Sequence, residues 1–552
     1  MFPSLRLLAP LTLLALLPAG GLAGAPTWRS SLYPADGLPA HADDAGRFLH
    51  DFSHAGYHYG DQPPPVVNTP PADVTLPPYN ADSSGATDAT QALQAAIDAV
   101  GLAGGGVVYL PAGTYRIAPQ GDATFALKIR DDRVVLRGAG AGRTFLFNAS
   151  TAMRDKHVIR LEPRQPAWWN AGSRETPGVA LSADLPGPAD VVPVADVSPF
   201  SVGELVVIRN DITQTYIDRV GMNGKWFPGR PGNRPLAYAR RIRSIDTAGR
   251  TLALDIPVRG FLYAADRARV VKTTGRMLSE VGLEDFSIGM RQHPGTGLAE
   301  EDYNKPGTLG YDVHASEALS LSFVENAWIR RVRTYAPAGN DARVHVLSKV
   351  LRLWNTRLVT VADCDFKFPQ YRGGGGNGYL YCINGQDNLV RDCKAEGARH
   401  NYDFGTMTSS GNVILDCVAK DGELASDFHM YFSLANLVDN LTCEGDFIEA
   451  RALRPWGGDP MHGVTTTQSV FWNTNGLRYA AKRLGSAPAV VYSHQFGDGY
   501  VIGTRGPAHA VDSDDFVEGV GLGDTLAPRS LYLDQLSRRL GRPSATSTQP
   551  AQ

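Results

Sequence analysis

Asn388, Asn412 and Asn436 recur at one constant interval, since 412 − 388 and 436 − 412 are both 24, and Cys393 and Cys417 follow the first two at equal offsets. A fixed period of that length marks one supersecondary unit stacked on copies of itself. Between the asparagines run β-branched segments such as Val413-Ile414-Leu415, so the unit is made of strands. The pattern predicts an all-β solenoid, a parallel β-helix. Side chains of equal register in successive coils then stand about 4.8 Å apart on a long, ridged outer face. A linear polymer is the ligand that suits such a face.

Solenoids grow along one axis, so 552 residues fit one long domain. The 59 glycines and 37 prolines match a chain in which every coil needs several turns. A hydrophobic share of 43% with 20% charged residues argues against the disordered and membrane classes. The formal charge of −3 gives no general pull toward nucleic acid.

Residues 1–25 carry Arg6, the apolar stretch Leu7 to Leu17, Pro18 and a small-residue Ala23-Gly24-Ala25 site, the order of a cleaved secretory signal peptide. A secreted or periplasmic protein is expected, with no membrane span, because the apolar run is too short for a stable anchor. An oxidising compartment suits disulfides. The five cysteines, Cys364, Cys382, Cys393, Cys417 and Cys443, are an odd number inside the repeats, and no CxxC pair is present. A stacked ladder of buried thiols is the expectation.

Residues 26–80 show neither helical nor strand period and read as an extended leader. Asp88 to Val100 places apolar residues at helical spacing and predicts a capping helix. There follow Gly104-Gly105-Gly106, the strand Val107 to Leu110, the turn Pro111-Ala112-Gly113 and Thr114-Tyr115. This order resembles the opening segment of the pectate-lyase-superfamily proteins. The resemblance implies a right-handed parallel β-helix, in a superfamily that acts mostly on polysaccharides. It covers residues 88–117 by motif and about 280–500 by coil pattern, and it carries over no catalytic residue set. Pectin hydrolases of that superfold carry Asn-Thr-Asp, Asp-Asp and Gly-His-Gly motifs; here only Met461-His462-Gly463 stands in their place, which argues against pectin hydrolysis.

The domain plan is a β-helix over 81–528, interrupted at about 179–271 by a small antiparallel β insertion, and a C-terminal helix with a tail over 529–552. The insertion's loop, Gln214 to Tyr238, interleaves aromatics such as Trp226 with basic residues. That loop either lines a sugar groove or packs on itself.

Asp-Phe recurs at Asp403-Phe404 and Asp427-Phe428, one full period apart, and again at Asp446-Phe447 after a shorter interval. If the phenylalanines point inward, strand alternation turns the aspartates outward. The same register one period earlier is Tyr379, and alternation adds Tyr381, His429 and Tyr431 to one outer patch. Stacked carboxylates need a cation, a Lys or Arg, or a shared proton. Asp403, Asp427 and Asp446 are therefore candidate Ca²⁺ ligands. The alternatives are an acid and base pair for glycoside hydrolysis, or structural aspartates bonded to backbone amides.

Arg399, His400, Tyr402 and Asp403 form the densest run of proton-transfer and charge-stabilising groups, with His429 one coil on and Arg451, Arg454 and His462 beyond. Elimination from a uronic acid needs a base for the C5 proton and a group that neutralises the carboxylate. Arg399, His400, Tyr402, His429 and Arg451 would supply these roles, helped by Asp403, Asp427 and His462. Tyr379, Tyr381, Tyr431, Trp456 and Trp226 would hold the sugar. No transition metal is expected.

The reading is a monomeric, secreted polysaccharide lyase acting on a uronate-containing chain, with Ca²⁺ as the one cofactor considered. Two alternatives stand beside it, a glycoside hydrolase using the paired aspartates and a non-catalytic glycan-binding solenoid.

Overall fold

The computed structural model describes residues 27–35, 41–168, 177–228, 236–458, 461–482, 485 and 487–542. The expected signal peptide and C-terminal tail lie outside these residues, as do Arg230 and Arg234 of the insertion loop. Among the described residues no helix is long and apolar enough to cross a membrane.

The chain forms the parallel β-helix that its repeat predicts. One parallel sheet system of 31 strands runs along the molecule, each strand bonded to its counterpart in the next coil. Helix α1 (Thr90–Leu102) packs Leu93, Ala96 and Ile97 onto the first coils, and α2 (Leu531–Arg539) lies near the other end, capped by the Ser530 side chain.

The asparagine period has a direct physical cause. Asn388 Nδ2 donates to Asn412 Oδ1 at 2.9 Å, and Asn412 Nδ2 donates to Asn436 Oδ1 at 2.9 Å. The backbone amides of Asn388 and Asn412 donate to the same oxygens at 3.1 Å. Each buried amide thus satisfies the next coil's turn, a position where few other side chains offer donor and acceptor together. Sharp corners stack beside them at Asp392, Asp416 and Asn440, with φ of 53°, 50° and 57°. Asp and Asn tolerate that left-handed conformation better than other non-glycine residues. All five cysteines are free and buried. Cys393 and Cys417 share a register inside the coils, whereas Cys443 pairs with Ala419.

Between the coils a six-stranded sheet spans Val179–Ala180 to Arg269–Lys272, its internal pairings antiparallel. Its core, including Ile208, Tyr216, Trp226 and Tyr238, continues into Met407, Phe432, Leu434 and Val464 of the β-helix. The insertion is thereby welded to turns beside one outer face.

That face is a parallel sheet containing β1 (Phe125–Ile129), β2 (His157–Leu161), β3 (Glu317–Ser322), β4 (Lys349–Ala362), β5 (Tyr379–Gln386), β6 (His400–Gly405), β7 (Ser426–Met430), β8 (Ile448–Ala450) and β9 (Val491–Ser493).

Candidate active site

A cleft of about 1200 Å³ opens on the outside of β4 to β8. Its floor is set by strand register: Arg352, Cys382, Asp403, Asp427 and Glu449 stand in one row on successive strands. Tyr379 and His400 form a neighbouring pair, with their rings 4.7 Å apart.

Asp427 is the hub. It is fully buried, and its Oδ2 accepts from Arg454 Nη1 at 2.5 Å and from His429 Nδ1 at 3.1 Å. Arg454 Nη1 and His429 Nδ1, 3.0 Å apart, are two donors sharing that oxygen. With Nδ1 protonated toward the carboxylate, His429 Nε2 carries the lone pair and accepts from the Tyr379 hydroxyl at 3.2 Å. Asp427, His429 and Tyr379 are thus one chain of hydrogen bonds ending at the cleft. His400 stands beside it; its Nδ1 lies 2.6 Å from the Ala425 carbonyl, to which it donates, and 3.2 Å from Asp427.

Electrostatics divide these groups sharply. Burial opposes ionisation of Asp427, but Arg454 and the two imidazoles overcome it and hold the carboxyl well below its usual range. Burial lowers His400 to about 3, and lowers His429 and His462 to about 4, against partial compensation by Asp427. All three imidazoles are therefore neutral at neutral pH and can act as bases. Burial, with the charges of Asp427 and Asp403, raises the Tyr379 phenol well above its ordinary value, so it rests protonated.

The remaining expected residues divide between the cleft and elsewhere. Arg399 lines the cleft wall and holds Glu300 through two bonds of 2.7 Å. Arg451 pairs with Glu449, and its guanidinium lies 4.9 Å from the Trp456 ring centre, while Trp456 is 52% exposed at the cleft. The His462 ring is 5.0 Å from that of His429 and 6.1 Å from Tyr431, which also lines the cleft.

Several expectations are overturned. Cys382, not Tyr379, holds the register of Asp403, because that coil is shorter than the regular period; Tyr379 still reaches the cleft from the strand's beginning. Tyr381 and Tyr402 point inward, stacked 4.8 Å apart, with their hydroxyls on the Lys394 and Cys393 carbonyls. They share the inward side with Phe404, since the regular alternation from His400 breaks at the strand's first residues. Asp446 is not in the row: it is buried in a corner, accepting from Asn401 at 2.7 Å and Ser426 at 3.0 Å, while Glu449 takes the place next to Asp427. Trp226 is fully buried and donates through Nε1 to the Met461 carbonyl at 2.8 Å, so it supports the His462 loop from behind. Gly463, at φ +69°, lets that loop approach, because a Cβ there would fall 2.6 Å from Met222 Sδ and 2.7 Å from Trp226.

The calcium ligand set fails with Asp446 absent from it. His400, Asp427 and His429 do converge closely enough to hold an ion. The Arg454 guanidinium already stands against the shared carboxylate oxygen, where a cation would be, so the residues present do not fit a metal there.

Two groups, Lys349 and Glu449, escape the sequence reading, and a third, Arg454, is named there without its partner. Lys349 faces the cleft and pairs with no carboxylate among the described residues. Glu449 is hidden by a second shortened coil. Arg454 is visible as a charge, but nothing in its spacing ties it to Asp427. The strand pattern of β8 is the available signal for Glu449.

Residues 77–174 match the family model for rhamnogalacturonase A/epimerase, pectate lyase-like. A 68-residue stretch is 50% identical to mannuronan C5-epimerase AlgE3 of Azotobacter vinelandii, spanning 12% of this chain and 4% of that protein. Another match of 68 residues is 46% identical to alginate lyase 7 of the same organism, over 12% of this chain and 8% of the relative. Both matches thus span a small part of the relative's length. Among solved structures, the tailspike gp61 of Pseudomonas phage phi297 aligns over 81% of this chain and 75% of its own at 12% identity, with a TM-score of 0.42. Residues 77–174 are thus a pectate-lyase-like segment, and it is built into the parallel β-helix that the rest of the described chain continues.

Proposed function

We propose that the cleft removes the C5 proton of a uronate residue within a polysaccharide and cleaves the chain by β-elimination, as a secreted lyase. The observation that carries this reading is the chain Asp427, His429, Tyr379: a locked carboxylate, a neutral imidazole and a phenol 3.2 Å from it. As the Tyr379 oxygen takes the C5 proton, its own proton passes to His429 Nε2, and Asp427 stabilises the imidazolium that forms. The C5–H electron pair becomes the C4–C5 double bond while the C4–O4 bond breaks, and the departing oxygen takes a proton back from the same pair. Lys349, inside the cleft and in no ion pair among the described residues, faces the substrate's carboxylate.

The hydrolase alternative fits less well. Two-carboxylate hydrolysis needs both groups to reach the sugar or its water. Asp427 is wholly buried beneath Arg454 and two histidines.

A second reading is favoured by the named relatives. Mannuronan C5-epimerase and alginate lyase chemistry both begin with loss of the C5 proton, and epimerisation differs in returning a proton to the opposite face. Those matches also favour an alginate-type polyuronate as substrate. The deciding experiment incubates the purified protein with polymannuronate, mixed alginate and polygalacturonate in D₂O. Near-ultraviolet-absorbing, shortened chains are expected. Deuterium at C5 with unchanged chain length would make the protein an epimerase, and new reducing ends without unsaturation would overturn C5 chemistry altogether.

A further inference from the structure

Asp403 and Asp427 hold the same register on adjacent strands of the cleft floor, yet their surroundings differ. The guanidinium and both imidazole Nδ1 atoms go to Asp427. Asp403 is paired with no arginine or lysine among the described residues. It faces Asp427 from β7, the Cys382 thiol from β5, and, at longer range, Lys349 of β4 and Arg454 of the following loop. Tyr379, His400 and His429 form the rim around it. Asp403 is 4% exposed, lines the cleft, and has a buried Oδ1 without a hydrogen-bond partner. Two carboxyls one strand apart in a desolvated floor do not both ionise readily, and the one lacking a cation keeps the proton.

We propose that Asp403 is a catalytic residue that acts as a carboxylic acid, donating a hydrogen bond to the carboxylate of the uronate whose C5 proton is removed. The role rests on the C5-proton reading above. When the C5–H electron pair moves into the substrate carboxylate, negative charge grows on its oxygens, and a donor fixed in a dry site stabilises that charge. The C5 proton goes to the Tyr379 and His429 pair, so Asp403 keeps its own proton throughout. Burial first, and the Asp427 charge second, push the Asp403 carboxyl up to about 7, while Cys382, Lys349 and Arg454 pull it down. The acid form is thus present at and below neutral pH and is lost above it.

The test compares the full wild-type chain with Asp403→Asn and Asp403→Ala across neutrality, on whichever polyuronate exchanges its C5 proton. Wild-type kcat/KM is expected to fall about tenfold per unit above an apparent pKa near 7. The asparagine variant keeps an N–H donor at every pH and should lose that alkaline limb, whereas the alanine variant should be slower by roughly 10²–10³-fold throughout. An unchanged alkaline limb in the asparagine variant overturns the proposal. An infrared titration reads the same group without turnover: a protonated carboxyl band that disappears near neutrality in wild type and is missing from Asp403→Asn is expected. Absence of that band from wild type overturns the acid role while leaving C5 chemistry standing. A band with no C5 exchange on any polyuronate overturns both the C5 reading and the role built on it.

Discussion

The coils that contain β5 to β8 carry two different kinds of order on their two sides. Inside, Asn388, Asn412 and Asn436 repeat with one constant period, and each amide closes the next coil's turn. Outside, the row Cys382, Asp403, Asp427 and Glu449 holds strict strand register although its sequence intervals are unequal, the first and last being shorter than the middle one. The inner face repeats because each coil solves the same packing problem. The outer face places one unlike group per coil, so strand register builds a cleft without leaving a sequence period.

The sharpest way to separate the two faces is to damage one and watch the other. Tyr379→Phe removes a single hydroxyl, whose hydrogen bond among the described residues goes to His429. Rate on the polyuronate is expected to fall by roughly 10²–10⁴-fold, the usual weight of a proton-transfer group. Thermal unfolding should keep the wild-type Tm, since no interior contact is lost. A variant with more than a tenth of wild-type kcat would remove Tyr379 from the mechanism.

The opposite cut is Asn412→Ala. It strips the middle rung of the ladder, orphaning donors and acceptors on both neighbouring coils. Stability should fall on the order of 3 kcal/mol, because buried polar groups lose partners that water cannot replace. Denaturant titration reads that loss, and kcat per folded molecule should stay near wild type. An equal loss of kcat in the folded protein would mean that the ladder also shapes the cleft.

These two cuts mirror what the sequence makes legible. The ladder, the coil axis and the outward turn of Asp403, Asp427 and His429 follow from period and alternation. Where a coil departs from the regular period, extrapolation fails: it puts Tyr379 in the register that Cys382 holds, and Asp446 in the place of Glu449. Alternation itself breaks at Tyr379 and His400, the first residues of their strands, which reach the cleft while Tyr381 and Tyr402, two residues on, face inward with Phe404. Contacts between distant segments leave no trace at all. Trp226 on Met461 and Arg454 on Asp427 depend on how an insertion and a loop dock, which no local pattern encodes.

A smaller effect is expected at the cleft's edge. Trp456 is half exposed and lies over Arg451 and Arg454, with ring-to-guanidinium distances of 4.9 and 5.4 Å. An aromatic face of this kind stacks on a sugar ring. Trp456→Ala should therefore raise KM about fivefold to tenfold, about 1 kcal/mol, with kcat little changed. A selective fall in kcat would instead show that the indole holds Arg454 in place.

The smallest effect is the most pointed test of how the outer row is neutralised. Stacked carboxylates at strand spacing demand a positive charge, and calcium would supply it in a site of three aspartates. Here Arg454 supplies it, 2.5 Å from Asp427, and Asp446 has no place in the row. Burial opposes the charge on Arg454, but Asp427 and Glu449 outweigh it, and the pKa ends above the ordinary arginine value, so the cation persists at any working pH. Exhaustive chelation should therefore change kcat by less than about twofold, and added calcium should restore nothing. A tenfold loss reversed by calcium would mean that Arg454 leaves Asp427 during turnover, and the row would then share the dependence on a bound ion that its spacing first suggested.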